Sequence, residues 1–558
     1  MNEESTSRLP IRPSHNGLKA VVFAALCLAA AGGLLAKLLK NDAPPAPSNF
    51  RPADYDSVEF RGVVSRVDST FAGGWKTAGL QPAPQAPPLT LARRLSLGLT
   101  GTIPSLPEIR SLEQQSSDQV VQWWLSRLFE DRRYSDYVAE RLARVYVGVE
   151  NGPFLIYRRH RMVEWLSDEV AANRPYDQIT RQLIGAKGIW TTKPEVNFIT
   201  ATVDQNDKNK GPDEVKLAAR ISRAFLGVRL DCVQCHDDFL GDRWKQKDFH
   251  QIAAFFAPAE MSLTGVQENK KNEYDFRYHG KAETERVNPT VPFHPELLPA
   301  KGELRDRLAQ WVTHRDNRSF ARTTVNRVWA LMFNRPLVEP IDSIPLDGPF
   351  PAGMEVLADD LIAHGHDLQR LIRVIAATRV FQMDSRAADP SHPVTEEQEK
   401  CYASFPLSRL RPEQVAGSVL QAASIQTLDA DAHVVFQISR SIQEKNFVKS
   451  YGDIGEDEFN QRSGTIPQRL LMMNGNMVKD RTKSNPFVNA SSRISLLSPD
   501  DNVAVDTSYL CLLTRRPTPA EKEYFLKQLA GSKGVVRERA MEDLYWTLMN
   551  STEFSWNH

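Results

Sequence analysis

Residues 212–236 read PDEVKLAARISRAFLGVRLDCVQCH, so a predicted helix comes directly before a cluster of cysteine and histidine. Proline and acidic residues at positions 212 to 214 are typical of the first turn of a helix. One face then carries apolar residues at helical spacing, namely Leu217, Ile221, Phe225 and Val228. The stretch therefore predicts a buried helix that leads straight into the motif at 232–236.

The same helical spacing recurs on both sides of this stretch. Apolar stripes predict helices at 119–129, 137–147, 161–171, 325–332, 361–375, 509–513 and 522–529. Residues 61–90 differ in pattern. They begin with a strand-like, alternating character that includes Val63, Val64 and Val67, and they end in a proline-rich run. Between 260 and 299 the helical pattern lapses, and Tyr274, Phe276 and Tyr278 alternate as in a strand, which indicates a hairpin or an irregular connection. The predicted fold is mainly α and multidomain, with minor β-hairpin elements and an N-terminal transmembrane helix.

We divide the chain by these changes of pattern. The expected parts are a cytoplasmic N-terminus (1–19), a transmembrane anchor (20–40) and a linker (41–60). A helical domain with the cysteine motif (61–260), an irregular or hairpin connection (261–300), a second helical domain (301–530) and a C-terminal helix (531–558) follow.

The anchor prediction rests on residues 20–36, which read AVVFAALCLAAAGGLLA and contain no charge. A helix that spans a membrane needs about 20 apolar residues, and flanking lysines can reach the interface. A cleaved signal peptide is the alternative, but no small-residue cleavage site stands before a polar stretch. We therefore expect a single-pass protein of the inner membrane, with the bulk of the chain in the periplasm.

Composition excludes several classes of protein. Lys and Arg number 69, as do Asp and Glu, so no excess positive charge is present to bind nucleic acid. Five cysteines are too few to staple a chain of 558 residues with disulfides. Cys27, Cys401 and Cys511 are isolated in sequence, and we expect them to be small buried hydrophobic residues.

Cys232, Cys235 and His236 form the one pattern that carries a specific chemistry. Two thiols three positions apart can form thioethers with the two vinyl groups of one haem, and the next imidazole then becomes an axial ligand of its iron. Haem c is thus the first cofactor predicted, with His236 as the metal ligand. Zinc is the second, with His250 or Asp238 completing the set, and a local disulfide is the third.

A haem would have two further requirements. Its second axial ligand could be Met261, His250, His160 or His279, and the sequence does not select among them. Its apolar pocket could be walled by Trp244, Phe249, Phe255 and Phe256, which are equally well explained as core residues.

Other catalytic patterns are missing from the sequence, including Gly-x-Ser-x-Gly, a phosphate-binding glycine loop and His-Glu-x-x-His. Whether the chain is an enzyme therefore stays undecided. Arg322, Asn326 and Arg327 lie on one helix opposite its apolar stripe, and we interpret them as structural hydrogen-bonding residues.

Longer stretches carry a family resemblance. Residues 91–104 (LARRLSLGLTGTIP), Trp165 with 174–177 (RPYD), 225–228 (FLGV) and the cysteine motif resemble the planctomycete cytochrome-like domain of unknown function. Residues 320–329 (FARTTVNRVW), 409–413 (RLRPE) and 513–519 (LTRRPTP) resemble the companion domain that usually follows it. Together the resemblance covers roughly residues 60 to 530.

The resemblance implies an exported protein classed as cytochrome-like on account of its Cys-x-x-Cys-His motif. It also implies a partner, a sulfatase-like secreted protein encoded nearby. A redox protein is the other expected partner, because the predicted haem would exchange electrons with it. The family commonly continues the motif as His-x-His-Pro-Phe, whereas this chain continues from His236 as Asp-Asp-Phe-Leu. A second histidine ligand at that position is therefore lacking here.

Overall fold

The computed structural model describes residues 45–149, 155–203, 211–238, 243–387, 389, 391–428, 434–452, 464–485 and 489–558. Helices dominate these residues, and the strands form short antiparallel pairs. The prediction of a mainly α chain with minor hairpin elements is confirmed. Within the described ranges, no helix has the length and apolar content needed to cross a membrane. The predicted anchor at 20–40 lies outside the described residues.

The part of the chain before the cysteine motif is helical. Its α-helices are α1 (Pro52–Asp56), α2 (Val58–Ala78), α3 (Pro88–Thr100), α4 (Leu106–Leu112), α5 (Val120–Phe129), α6 (Arg132–Val147), α7 (Arg159–Ala171), α8 (Tyr176–Ile184), α9 (Asn197–Thr200) and α10 (Glu214–Ile221). A 3₁₀ turn covers Pro194–Val196, a π-helical turn covers Ser222–Leu226 and a second 3₁₀ turn covers Leu230–Val233.

Two small hairpins follow the motif and the next helix. Helix α11 (Gln246–Ala253) leads through the 3₁₀ turn Ala254–Phe256 into β1 (Ala259–Ser262) and β2 (Gly265–Glu268), and β3 (Asp275–Phe276) then pairs with β4 (Glu285–Arg286). The hairpin expected between 260 and 299 is thus present, as two pairs rather than one. A 3₁₀ turn at Pro295–Leu297 ends this region.

The second half is again helical. Its α-helices are α12 (Leu304–Val312), α13 (Arg318–Phe333), α14 (Met354–Ala363), α15 (Leu368–Ala377), α16 (Arg379–Gln382), α17 (Glu396–Lys400), α18 (Pro412–Ala422), α19 (Val434–Tyr451), α20 (Ile466–Asn474), α21 (Asn476–Thr482), α22 (Ala490–Leu497), α23 (Asp501–Leu513), α24 (Pro519–Leu529) and α25 (Gly534–Met549). Strand β5 (Ser408–Arg409) pairs with β6 (Trp556–Asn557), which follows a 3₁₀ turn at Glu553–Ser555. The expected C-terminal helix therefore ends at Met549.

Helix α2 replaces the alternating segment expected after residue 60. Its buried residues are Phe60, Val63, Val67, Phe71 and Trp75, which recur at helical spacing. Phe71 stacks on Trp329 of α13, with 5.6 Å between the ring centroids. Packing of this face on the rest of the fold outweighs the preference of valine for strands.

Buried apolar residues form two clusters. The first gathers residues between Tyr55 and Phe405. The second joins Leu97, Ile103, Leu106 and Ile109 to residues between Leu410 and Phe554. Helix α3 contributes to both clusters, and every residue from Leu91 to Thr100 is buried. The cores are therefore shared between the two ends of the described chain.

The prediction that the three isolated cysteines are buried has a different outcome for each of them. Cys511 is buried, as predicted, while Cys401 is exposed, so that prediction is wrong. Cys401 follows the last turn of α17, a short helix in which no residue is buried, so its side chain has no core to enter. Cys27 lies outside the described residues.

Candidate haem attachment site

Helix α10 leads to the motif as the sequence predicts, but it ends in an unusual way. Asp213 caps the helix by accepting a hydrogen bond from the Lys216 N–H at 2.9 Å. The chain then widens into the π-helical turn and stops at Gly227, whose φ is +63°. A Cβ atom on Gly227 would lie 2.5 Å from Thr323 Oγ1, so glycine is required there. Widened turns of this kind are frequent at functional sites.

Helix α13 holds this turn from the side. Arg327 donates to the carbonyl oxygens of Arg223 (2.9 Å) and Ala224 (3.2 Å), and the Ile344 N–H donates to the carbonyl of Gly227 (2.8 Å). These bonds occupy carbonyl groups at the end of the helix that would otherwise lack partners. The approach to the motif is thus fixed by residues about 100 positions further along the chain.

Arg322 and Asn326, which are also on α13, likewise form hydrogen bonds to distant parts of the chain. Arg322 donates to Glu355 Oε1 at 2.6 Å and to the carbonyl of Leu346 at 3.0 Å. The amide of Asn326 donates to the carbonyls at positions 338 and 341, and its oxygen accepts from the N–H at 338. The interpretation of Arg322, Asn326 and Arg327 as structural hydrogen-bonding residues is confirmed.

The motif lies on the surface after this turn. Leu230 and Val233 are buried, whereas Cys232, Cys235 and His236 are exposed, and both thiols are free. His236 Nδ1 is 2.7 Å from the carbonyl oxygen of Asp237. Because a carbonyl only accepts, Nδ1 carries the proton and Nε2 is left as the metal-binding nitrogen.

The ligand atoms of the motif are not gathered into a metal cluster. Among the described residues, Cys232, Cys235, His236, Asp238 and His250 supply no group of three ligand atoms within 4.8 Å of one another. The tetrahedral arrangement that a structural zinc requires is therefore not assembled here.

A buried histidine holds the motif loop from behind. His250 Nε2 donates to the carbonyl of Gln234 (3.0 Å), and Nδ1 accepts from the Tyr274 hydroxyl (2.8 Å). The ring stacks on Phe276 with 3.4 Å between centroids. Burial lowers the pKa of His250, so the imidazole is neutral at neutral pH. Both ring nitrogens are already used, which argues against His250 as a haem or zinc ligand.

Gln246 provides a second support for the same loop. Its side-chain amide donates to the carbonyl of Gln234 at 3.0 Å, and its main-chain N–H donates to Asp237 Oδ1 at 2.8 Å. The carbonyl between the two cysteines therefore accepts two hydrogen bonds from α11. The backbone of the motif is fixed, while the three reactive side chains stay exposed.

Ion pairs surround the other side of the loop. Asp231 accepts from Arg223 (3.0 Å), and Asp342 pairs with Arg229 (2.7 Å) and with Arg223 (3.5 Å). The hydrogen bond that Arg223 donates to Asp231, together with the nearby negative charges, outweighs burial and raises the pKa of Arg223. Asp231, which directly precedes Cys232, is thus connected through Arg223 to Asp342, which follows α13.

Most of the expected pocket wall is core instead. Phe249, Phe255 and Phe256 are completely buried within the first apolar cluster. Trp244 is half-buried beside the loop, where its carbonyl accepts from the Asp238 N–H and its ring packs near Phe293. Of the four predicted wall residues, Trp244 is the one that is partly exposed.

We expect replacement of His250 with leucine to loosen the motif loop. The change removes two buried hydrogen bonds, so the free energy of unfolding should fall by about 2–3 kcal/mol. Chemical denaturation of the full chain measures this change, and hydrogen exchange at residues 231–238 should become faster. His160 is exposed on α7 and is the matched control, because His160→Leu should alter stability by less than about 0.5 kcal/mol. Equal effects from the two variants would contradict this role.

Glu59, Asp360 and His364 form a further polar cluster, which the sequence analysis missed. Their ligand atoms lie within 4.8 Å of one another. Arg370 donates to both carboxylates, at 2.9 Å to Asp360 and at 3.3 Å to Glu59. Since a guanidinium already supplies the positive charge, we interpret the cluster as an ion-pair network that joins α2, α14 and α15. The sequence shows only one sign of this cluster, which is that Asp360 and His364 are four positions apart at the end of α14.

The motif meets two requirements of covalent haem attachment. Its thiols are free and exposed, and His236 is in the tautomer that leaves Nε2 for the iron. The donor set of Cys232, Cys235 and His236 is thus of the chemical kind that could hold a haem, whereas three of the four predicted wall residues belong to the core.

Two family models match successive regions of this chain. Residues 66–261 match PSCyt2, described as a protein of unknown function (DUF1549), and residues 304–529 match PSD1, also described as a protein of unknown function (DUF1553). A search of curated proteins and a search of solved structures found no match. The chain thus combines a region that matches DUF1549 with a following region that matches DUF1553, two families of unknown function.

Proposed function

We propose that this chain is an exported protein, anchored in the inner membrane by residues 20–40, that carries one covalently bound haem c in the periplasm. Cys232 and Cys235 would form the two thioethers, and His236 would bind the iron. The haem would serve electron transfer or the redox support of a process in the cell envelope. A redox protein, or a sulfatase-like secreted protein, would be its partner.

One observation carries this proposal. The motif presents two free, exposed thiols and a histidine whose Nδ1 donates to a carbonyl, all on a loop with a fixed backbone. A disulfide would need no histidine in a defined tautomer, and a structural zinc would need its ligands close together. Accessible thiols and an imidazole whose Nε2 is available for a metal support haem attachment over these two alternatives.

The surrounding residues have defined roles in this proposal. His250 and Gln246 hold the carbonyl of Gln234, so the main chain between the two cysteines is fixed. Arg223 holds Asp231 and thereby the start of the motif. A bound haem iron would supply the chemistry, because it changes between two oxidation states and so accepts or releases one electron.

The test uses the full chain, made in a host that matures c-type cytochromes. We expect a Soret band, together with an intact mass that exceeds the bare chain by one haem even after denaturation. The double variant Cys232→Ser/Cys235→Ser should lose both signals completely. Cys401→Ser is the matched control, because Cys401 is also exposed but lies outside the motif, and it should keep both signals.

Two other results would favour a non-redox binding or scaffold protein of the envelope. A bare mass with one zinc per chain would support a structural metal at the motif. A mass lower by two hydrogen atoms, without metal or haem, would support a disulfide between Cys232 and Cys235. Either result would overturn the haem proposal.

A further inference from the structure

The side chain of His364 lies between two oxygen atoms that accept hydrogen bonds. Its Nδ1 atom is 2.8 Å from the main-chain carbonyl oxygen of Asp360, and its Nε2 atom is 2.6 Å from Glu59 Oε1. A neutral imidazole carries one N–H, so it can donate to only one of these oxygens. Both hydrogen bonds form together only when both ring nitrogens carry a proton, which gives the imidazole a positive charge.

Charged groups from three helices face this imidazole. Glu59 lies in the first turn of α2, Asp360 lies on α14, and Arg370 lies on α15. The buried carboxylate of Asp360 is 3.2 Å from His364 Nδ1, and Arg370 donates to both carboxylates. Two negative charges therefore face a single guanidinium. A protonated His364 supplies the second positive charge, and nearby carboxylates favour that form of the ring.

Loss of one proton reverses the interaction with Glu59. A neutral imidazole that keeps its Nδ1 proton for the carbonyl of Asp360 presents the lone pair of Nε2 to the carboxylate. At 2.6 Å these two groups repel each other, so the side chains must separate. Arg370 still donates to Glu59, although over a longer distance of 3.3 Å. The attachment of Glu59 is thus weakened rather than abolished.

The effect falls on the beginning of α2, because the rest of this helix is held by other bonds. Asp68 accepts from the Arg379 N–H at 2.9 Å, and Trp75 Nε1 donates to the carbonyl of Cys401 at 2.9 Å. Neither bond involves a histidine. Glu59, by contrast, connects the first turn of α2 to α14 and α15 through His364 and Arg370.

We propose that His364 is a pH-sensitive latch, which fastens the first turn of α2 to α14 and α15 when it is protonated and loosens that turn when it is neutral. The closed latch favours the protonated ring, so its stabilising effect is complete at low pH, where an ordinary histidine is charged. The effect is lost as the pH rises through neutrality. This device involves neither the cysteine motif nor a haem.

Hydrogen exchange of the full chain, followed by mass spectrometry, tests the latch. The readout is the protection factor of residues 58–63, which is corrected for the effect of pH on the intrinsic exchange rate. We expect protection to fall several-fold between about pH 5.5 and about pH 8.5, a range that includes the titration of an ordinary histidine. His364→Gln should remove this dependence on pH. His160→Gln is the matched control, because His160 is exposed on α7, and it should keep the dependence.

Glu59→Gln separates the latch from a purely structural contact. The new side-chain amide can donate to Nε2 of a neutral imidazole, so protection of the first turn should stay high at both pH values. Protection that does not vary with pH in the unmodified chain would overturn the latch. An unchanged pH dependence in His364→Gln would also overturn it. Neither result bears on the attachment of haem at the motif.

Discussion

Replacement of Arg94 with leucine is expected to lower the free energy of unfolding of the full chain by about 3–5 kcal/mol. Arg94 lies on α3 and is completely buried. Its guanidinium donates to the carbonyls of Phe381 (3.0 Å), Met383 (2.7 Å) and His558 (2.7 Å). It therefore joins three distant parts of the chain at one point.

The size of this effect follows from the carbonyl groups left behind. Each buried acceptor without a donor costs about 1–3 kcal/mol, and leucine can donate to none of them. The guanidinium also stacks on Phe405, 3.6 Å above the ring centroid, so packing is lost as well. Burial lowers the pKa of Arg94 to about 9, which leaves the group charged at neutral pH.

Chemical denaturation measures the change, and two variants serve as comparisons. Arg94→Lys should be intermediate, because a single ammonium group cannot match the three separated carbonyls as the planar guanidinium does. Arg386 is exposed in the same region, so Arg386→Leu should change stability by less than about 0.5 kcal/mol. A cost below about 1 kcal/mol for Arg94→Leu would show that Arg94 does not join these segments.

Replacement of Glu413 with glutamine is expected to cost about 3–5 kcal/mol at neutral pH. The carboxylate of Glu413 pairs with Arg141 (3.0 Å) on α6 and with Arg411 (2.9 Å), and its side chain is 11% exposed. Glutamine removes the negative charge that these two buried guanidinium groups share. The loss is larger than for a surface ion pair, since water cannot replace the carboxylate.

Stability should also depend on pH through this residue. Burial alone raises the pKa of Glu413, but Arg141, Arg411 and Arg144 outweigh it and bring the pKa to about 2. The folded state therefore favours the ionised form, so this stabilisation is complete above the unfolded pKa of about 4.5 and disappears as pH falls towards 2. The contribution of this group is about 3 kcal/mol.

The experiment compares the full chain with Glu413→Gln between pH 6 and pH 2. We expect the difference in unfolding free energy to stay constant down to about pH 4.5 and then to shrink. Glu396→Gln is the control, because Glu396 forms an exposed pair with Lys400 and should give no such difference. A difference that does not vary with pH would show that the charge of Glu413 is unimportant.

The helices of this fold were predictable where one face of the sequence repeats. Val325, Trp329 and Met332 recur at helical spacing on α13, and all three are buried. Helix α2 was missed because its valines resemble a strand and because Gly73 and Gly74 lower helix propensity. Its buried face does repeat at helical spacing, from Phe60 to Trp75, so the helix was predictable from a longer stretch of sequence than the valines alone.

The candidate site also has one part that the sequence predicts and one part that it does not. The spacing of Cys232, Cys235 and His236 is visible in the sequence, since its chemistry depends on neighbouring positions. The supports are not visible, because His250 contacts Gln234 from 16 positions away and His279 contacts Gln246 from 33. Isolated histidines carry no pattern that distinguishes a support from a ligand.

Several stretches that carry the family resemblance are contacts between distant segments. Arg93 donates to the carbonyls of Leu512 (3.1 Å) and Phe554 (3.2 Å), and its neighbour Arg94 reaches Met383. Glu413, in the stretch RLRPE, pairs with α6. These polar residues therefore hold the two matched regions together, a role that their spacing in sequence does not show.

The second apolar cluster sets the order in which the protein can finish folding. Leu97 and Ile103 belong to a core whose other members extend to Phe554. At a synthesis rate of about 5–20 residues per second, tens of seconds pass between the appearance of these two groups. The part of the apolar surface of α3 that belongs to this cluster therefore stays uncovered until the end of the chain has been synthesised. Exposed apolar surface of this kind favours aggregation in general. This core is complete only when the final segment packs into it.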